Sequence, residues 1–266
     1  MKRIIALAFA ALVTLLPSFA AAGSSEAGEA VLPRDEVVAF SNKVQRELAA
    51  SGARVAIVAR TGRDPKDLPD GIRYTHVAYW VYSHITKTDG STGFGYQVYN
   101  LYQTADDLTV SNLVQDTPAD FFAGAYRLDA GVIVPDARLQ EKLLATIASP
   151  TYAALHNTDY SVLANPSDTR FQNCTEHTLD VLFASLYGTT DKAQIKANID
   201  AYFTPQMIEI GGLKRMLAPA VSGDLRTSDH GSEVGSATFT SIGRFMVRFD
   251  LADQVYALTP DQKIRL

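Results

Sequence analysis

The apolar positions along the chain follow two different periods, and each change of period marks an element. From Asp35 a helical spacing runs through Val37, Val38, Phe40, Val44 and Leu48 and stops at Gly52, which predicts an amphipathic helix. Residues 54–60 are a short, largely apolar run that reads as a buried strand, with residues 61–65 as its exit loop. Residues 74–82 are rich in aromatic and β-branched side chains, and strand alternation sets Tyr74, His76, Ala78, Trp80 and Tyr82 on one face. A loop carrying Asp89 and Gly90 leads to a partner strand over 94–103, where Phe94, Tyr96, Val98, Asn100 and Tyr102 share a face. In an antiparallel hairpin His76 then falls opposite or diagonal to Asn100 or Tyr102, and a one-residue slip would bring Tyr99 or Gln103 instead.

Further along, the pattern predicts a capped helix start at 116–122, a strand over 130–134 closed by Pro135, and a helix over 136–147. Residues 152–170 read mostly as loop, rich in Asn, Asp, Ser and Pro. Leu179, Leu182, Phe183 and Leu186 then form a helix stripe that ends at Gly188. Asn173 is a suitable N-cap for it, with Glu176 placed as in a capping box. Helices near 193–203 and 207–217, a Gly/Ser/Asp-rich loop over 222–235, a strand over 237–240, a helix from Ser241 and a strand over 254–258 complete the chain. The class expected is α+β, an antiparallel sheet with helices packed to one side.

Composition adds a location. Lys2 and Arg3, the apolar run over 4–16 and Ala20-Ala21-Ala22 have the form of a cleavable signal peptide, residues 1–22, followed by a flexible linker over 23–33. The mature chain is expected to be periplasmic or secreted, without a transmembrane segment. The net charge is −5, with no basic run, which argues against nucleic-acid binding. At 47% apolar residues the chain can fill a core, so residues 34–266 are read as one domain.

The single cysteine changes the picture most. Cys174 has no partner for an internal disulfide, and in an oxidising compartment a leftover thiol suggests intermolecular pairing or reactivity. It sits in the first turn of the helix capped by Asn173, where unpaired N–H groups and the dipole favour a thiolate. The plain alternative is a small buried apolar residue. Trp80 and the tyrosines read as core or cleft lining, His84 as a solvated residue, and His156, His230 and the Asp229-His230 pair as carrying no specific signal.

A His strand over Thr75-His76-Val77-Ala78-Tyr79-Trp80, followed much later by a helix opening Asn173-Cys174-x-x-His177, resembles the circularly permuted papain-like superfamily. That group is related to NlpC-type cell-wall peptidases and includes lecithin:retinol acyltransferase. The Asn-Cys start is similar to the acyltransferase branch, with one residue inserted relative to its tighter Asn-Cys-Glu-His form. The whole chain resembles a bacterial exported family known as domain of unknown function 2145. The resemblance implies a permuted papain-like fold, a catalytic part over about 54–188 and an extension over 189–266. It implies Cys174 as nucleophile, His76 as base and, from the following strand, Asn100 as the group that orients the imidazole; many relatives carry His or an acid there.

Thiol acyl transfer also needs oxyanion donors, for which the Cys174 backbone N–H and the Gln172 side chain are placed in sequence. Asn173 and His177 are supporting positions, and His177 is an alternative base. The expected function is a cysteine hydrolase or acyltransferase acting on a peptide, murein-stem or acyl bond, with no cofactor. Two other classes fit the same residues: an inactive exported binding or assembly protein using the same cleft, and a zinc site built from Cys174, His177 and His76.

Overall fold

A computed structural model of the chain describes residues 30–86, 90–209 and 223–266. The expected signal peptide, most of the expected linker and most of the helix expected at 207–217 lie outside the described residues. Among those described, helix α1 (Arg34–Ala50) turns Val37, Phe40, Val44 and Leu48 inward, and Asp35 and Glu36 in its first turn complement the dipole. Strand β1 (Val55–Arg60) is buried along its whole length. Strands β2 (His76–Thr86), β3 (Thr92–Gln103) and β4 (Ser111–Asp116) follow, then helix α2 (Pro118–Ala123), strand β5 (Ala130–Pro135) and helices α3 (Ala137–Ile147) and α4 (Pro150–Ala154). Helix α5 (Cys174–Tyr187) ends at Gly188, whose φ of 65° closes it in the left-handed region. Helix α6 (Lys192–Tyr202), the short strands β6 (Gln206–Met207) and β7 (Gly235–Ser236), helix α7 (Phe239–Arg248) and strands β8 (Ala252–Leu258) and β9 (Lys263–Arg265) end the fold.

Seven strands form one sheet in the order β4-β3-β2-β1-β5-β8-β9, and every ladder in it is antiparallel. The α+β expectation therefore holds, with one correction. Helices cover both faces rather than one. Val55, Ile57, Val77, Tyr79 and Ile133 pack against α3, α5 and α7 through Leu139, Leu143, Leu182, Phe183 and Ile242. Ala56, Val58, Ala78, Trp80 and Val132 face the opposite way, onto Phe40, Val44 and Leu48 of α1 and Phe121 and Phe122 of α2. The physical reason is that β1 and β5 are apolar at odd and even positions alike, so a single helical layer would leave one face wet.

Two smaller corrections fall near the C-terminus. The strand expected at 237–240 lies two residues earlier, as β7 pairs with β6, and Thr238 then caps α7 through Ser241. The helix expected from Met207 begins instead as β6, up to the limit of the described residues. Strands β8 and β9 extend the main sheet beyond β5, so the chain after Gly188 is built into the same core.

Candidate active site

Strand β2 opens at His76, directly across from Arg60 of β1. Its ladder to β3 runs from Thr86 and Thr92 back to Tyr79 and Tyr99, where the paired register ends. The Tyr82 N–H bonds the Arg54 carbonyl at 2.8 Å, which turns the even-numbered N–H groups of β2 toward β1. The Val77 N–H therefore points to the β3 side, beyond the last β2–β3 pair. The backbone N–H groups of Val77 and Thr175 act on Cys174 Sγ in favour of its thiolate. Val77, the residue that follows His76, is thus within electrostatic reach of the thiol.

Cys174 is the first residue of α5, and Asn173 caps the helix. Asn173 Oδ1 accepts the Glu176 N–H at 2.9 Å and the Thr175 hydroxyl at 2.8 Å, while its amide nitrogen donates to the carbonyls of Ser161 and Val162. The cap is therefore also the joint between the helix and the preceding loop. The thiol packs with Leu101 and Tyr160 and keeps only 4% of its surface exposed. Burial pushes its pKa up to about 11, against the opposing pull of the Val77 and Thr175 N–H groups and the Arg60 charge. The helix start alone predicted a readily ionised thiol; desolvation outweighs it here.

His76 is fully buried, and its ring stacks on Tyr102 at a centroid distance of 4.8 Å and an interplanar angle of 12°. Its Nε2 lies 2.9 Å from Asn100 Oδ1, and Asn100 Nδ2 donates to Asp116 Oδ2 at 2.7 Å. That order makes Nε2 the protonated ring nitrogen. Nδ1 is left buried with no hydrogen-bond partner, the thiol included. Burial, then the neighbouring Arg60 charge, holds the imidazole well below its ordinary pKa, so the resting ring is neutral. The ring leaves β2 on the α1/α2 face, against Phe121 at 5.4 Å, whereas α5 packs on the other face.

The remaining sequence candidates are engaged elsewhere. Gln172 accepts the Asn157 N–H at 2.8 Å and donates to the Leu155 carbonyl and to Asp180 Oδ2 at 3.1 and 3.0 Å, which uses both amide protons. Its amide is therefore not free to be the oxyanion donor expected from the sequence. His177 Nε2 lies 3.2 Å from the Tyr152 carbonyl, its ring meets Tyr152 edge-on, and burial lowers its pKa to about 3. Among the described residues no group of three His, Cys, Asp or Glu side chains converges as a metal site. His84 is exposed on β2 against Phe94, His156 bonds Ser111, and His230 bonds the Leu163 carbonyl.

Three groups near these positions were not legible as such. Asp116 ends β4, although its sequence context reads as a helix start; the cap of α2 is Thr117. Arg60 is a buried cation whose Nε and Nη1 have no partner, and a Cβ on Gly124 would stand 2.2 Å from its Nη1. Behind α5, Lys196 bridges Glu176 and Asp180 on the floor of a cavity of about 520 Å³ that Gln172, Arg170 and Lys192 also line. Neither Cys174 nor His76 borders that cavity.

The fold and site define an α+β protein with a large antiparallel sheet and a buried Cys, His and Asn. Residues 47–246 match the family described as "Uncharacterized protein conserved in bacteria (DUF2145)", and the chain belongs to that family. No curated protein and no solved structure matches it.

Proposed function

We propose that this chain is an exported cysteine hydrolase or acyltransferase of permuted papain-like design, acting on an amide or ester of a peptide, murein stem or acyl group. The observation that carries the reading is the state of His76: Asn100 holds Nε2, while Nδ1 stays unprotonated, buried and unpartnered, one residue before Val77, whose N–H acts on Cys174 Sγ. A buried ring nitrogen without a partner costs stability, and such groups gather where chemistry uses them.

In this reading Cys174 Sγ attacks the carbonyl carbon as its proton passes to His76 Nδ1. The imidazolium then gives that proton to the leaving amine or alkoxide, and a thioester remains. Water, or an acceptor hydroxyl or amine, attacks the thioester, loses its proton to Nδ1 and releases the thiol. Asn100 keeps the ring in one tautomer through both steps, as in Cys-His-Asn sites. The thiol must first leave its packing against Leu101 and Tyr160.

A second reading has its own observation. A thiol 4% exposed and pushed up to about pKa 11 suits a binding protein that keeps the residues without the reaction. Mass spectrometry after exposure to p-nitrophenyl acetate separates the two. The hydrolase reading expects an acetyl adduct on Cys174 of the folded protein that decays with time and is absent from Cys174→Ser. Labelling of Cys174 only after denaturation would support the binding protein.

A further inference from the structure

The Asn100 amide has a donor end and an acceptor end of nearly the same shape, so its neighbours decide which end faces which. On one side stands Asp116, whose Oδ2 lies 2.7 Å from Nδ2; on the other stands the His76 ring, 2.9 Å from Oδ1. An ionised carboxylate only accepts hydrogen bonds, so it draws the amide NH₂ to itself. Oδ1 is then the end presented to His76, and only an Nε2–H can answer it. Tyr102, whose ring lies flat on His76, is electrostatically coupled to both Asp116 and Arg60. Asn100 is fully buried, so no water competes for either end of its amide.

We propose that Asp116 is the positioning residue that fixes the Nε2–H tautomer of His76, acting through the orientation of the Asn100 amide. The geometry stands by itself; its consequence for reactivity rests on the reading of His76 as the base for Cys174. Asp116 touches neither the thiol nor a substrate in this scheme. It decides which ring nitrogen carries the lone pair.

The test is the tautomer itself, read from long-range ¹⁵N–¹H correlations on histidine-labelled full-length protein near neutral pH, with His76 assigned by loss of its signals in His76→Gln. Wild type should show a single Nε2–H tautomer. Asp116→Asn is close to isosteric but can donate as well as accept, so either orientation of Asn100 becomes available. The Nδ1–H form should then rise by about tenfold or more. Asp116→Glu, which keeps an acceptor, should stay near wild type. A wild-type ring protonated at Nδ1 would overturn the proposal without any variant, as would an Asp116→Asn spectrum that keeps the wild-type tautomer. No substrate enters the measurement. If Cys174 proves inert to acyl donors while the tautomer follows Asp116, the hydrolase reading fails and the positioning role remains.

Discussion

At the scale of single residues, the site depends on which hydrogen bonds are made and which one is missing. Asn100 joins His76 to Asp116, so truncating it removes two partners at once inside a fully buried position. Asn100→Ala should cost about 1–3 kcal/mol of stability in denaturant unfolding, because it strands buried polar groups. It should also slow alkylation of Cys174 by about tenfold or more, since the ring loses its fixed orientation. A stability loss with an unchanged alkylation rate would leave Asn100 a purely structural residue. His76 and Asn100 were legible in the sequence because strand alternation put them on one face and the hairpin register put them within reach. The raised pKa of Cys174 was not. It follows from how completely Leu101, Tyr160 and the surrounding fold exclude water, and the helix start does not encode that.

At the scale of elements, the first two turns of α5 are fastened by two different kinds of chemistry. Its start is tied by Asn173 to the 161–162 backbone, and its second turn is tied to α6 by Lys196, which meets Glu176 and both oxygens of Asp180, the latter at 2.7 and 2.9 Å. Burial raises both carboxyl pKa values, with Lys196 pulling against it; burial also disfavours the Lys196 ammonium, yet the two carboxylates hold its pKa above the ordinary range. Lys196→Met leaves two buried acids without a counter-charge and should destabilise the fold by about 3–5 kcal/mol near neutral pH. A carboxyl whose folded pKa is raised contributes stability below its unfolded value and loses it as pH rises through the folded one. The variant's deficit should therefore shrink between about pH 7.5 and about pH 5. Urea unfolding at the two pH values checks this, and an equal deficit at both would contradict it. Helices α1, α3, α5 and α6 and strands β1, β2, β3, β5 and β8 were legible from periodicity and caps. Strand β4 was not: at the sheet edge its burial is mixed, so Leu113 and Val114 give no clean alternation, and Asp116 passed for a cap. The double coverage of the sheet was latent in the two-sided apolar pattern of β1 and β5, but its meaning depends on where α1 docks.

For the whole molecule, export and reactivity belong together in the proposed function. A signal peptide cut after Ala22 predicts a mature N-terminus at Gly23, and intact-mass measurement of protein recovered from the periplasm or medium checks it; a chain retaining Lys2 and Arg3 in the cytoplasm would remove the export half of the reading. In that reading the seven-stranded sheet is the frame that carries the His76 strand beside β3, whose paired register with β2 ends at Tyr79 and Tyr99. The central claim is that His76 serves Cys174 as its base, and it is tested most directly by the pH–rate profile of Cys174 alkylation in wild type and His76→Ala. A thiol with a pKa of about 11 and no base reacts about tenfold more slowly for each unit of pH below that value. His76, neutral to well below the ordinary imidazole range, should replace that slope in wild type with a plateau through neutral pH that falls only in acid. His76→Ala should lose the plateau and keep the slope. Two superimposable profiles, both steep throughout, would contradict the claim.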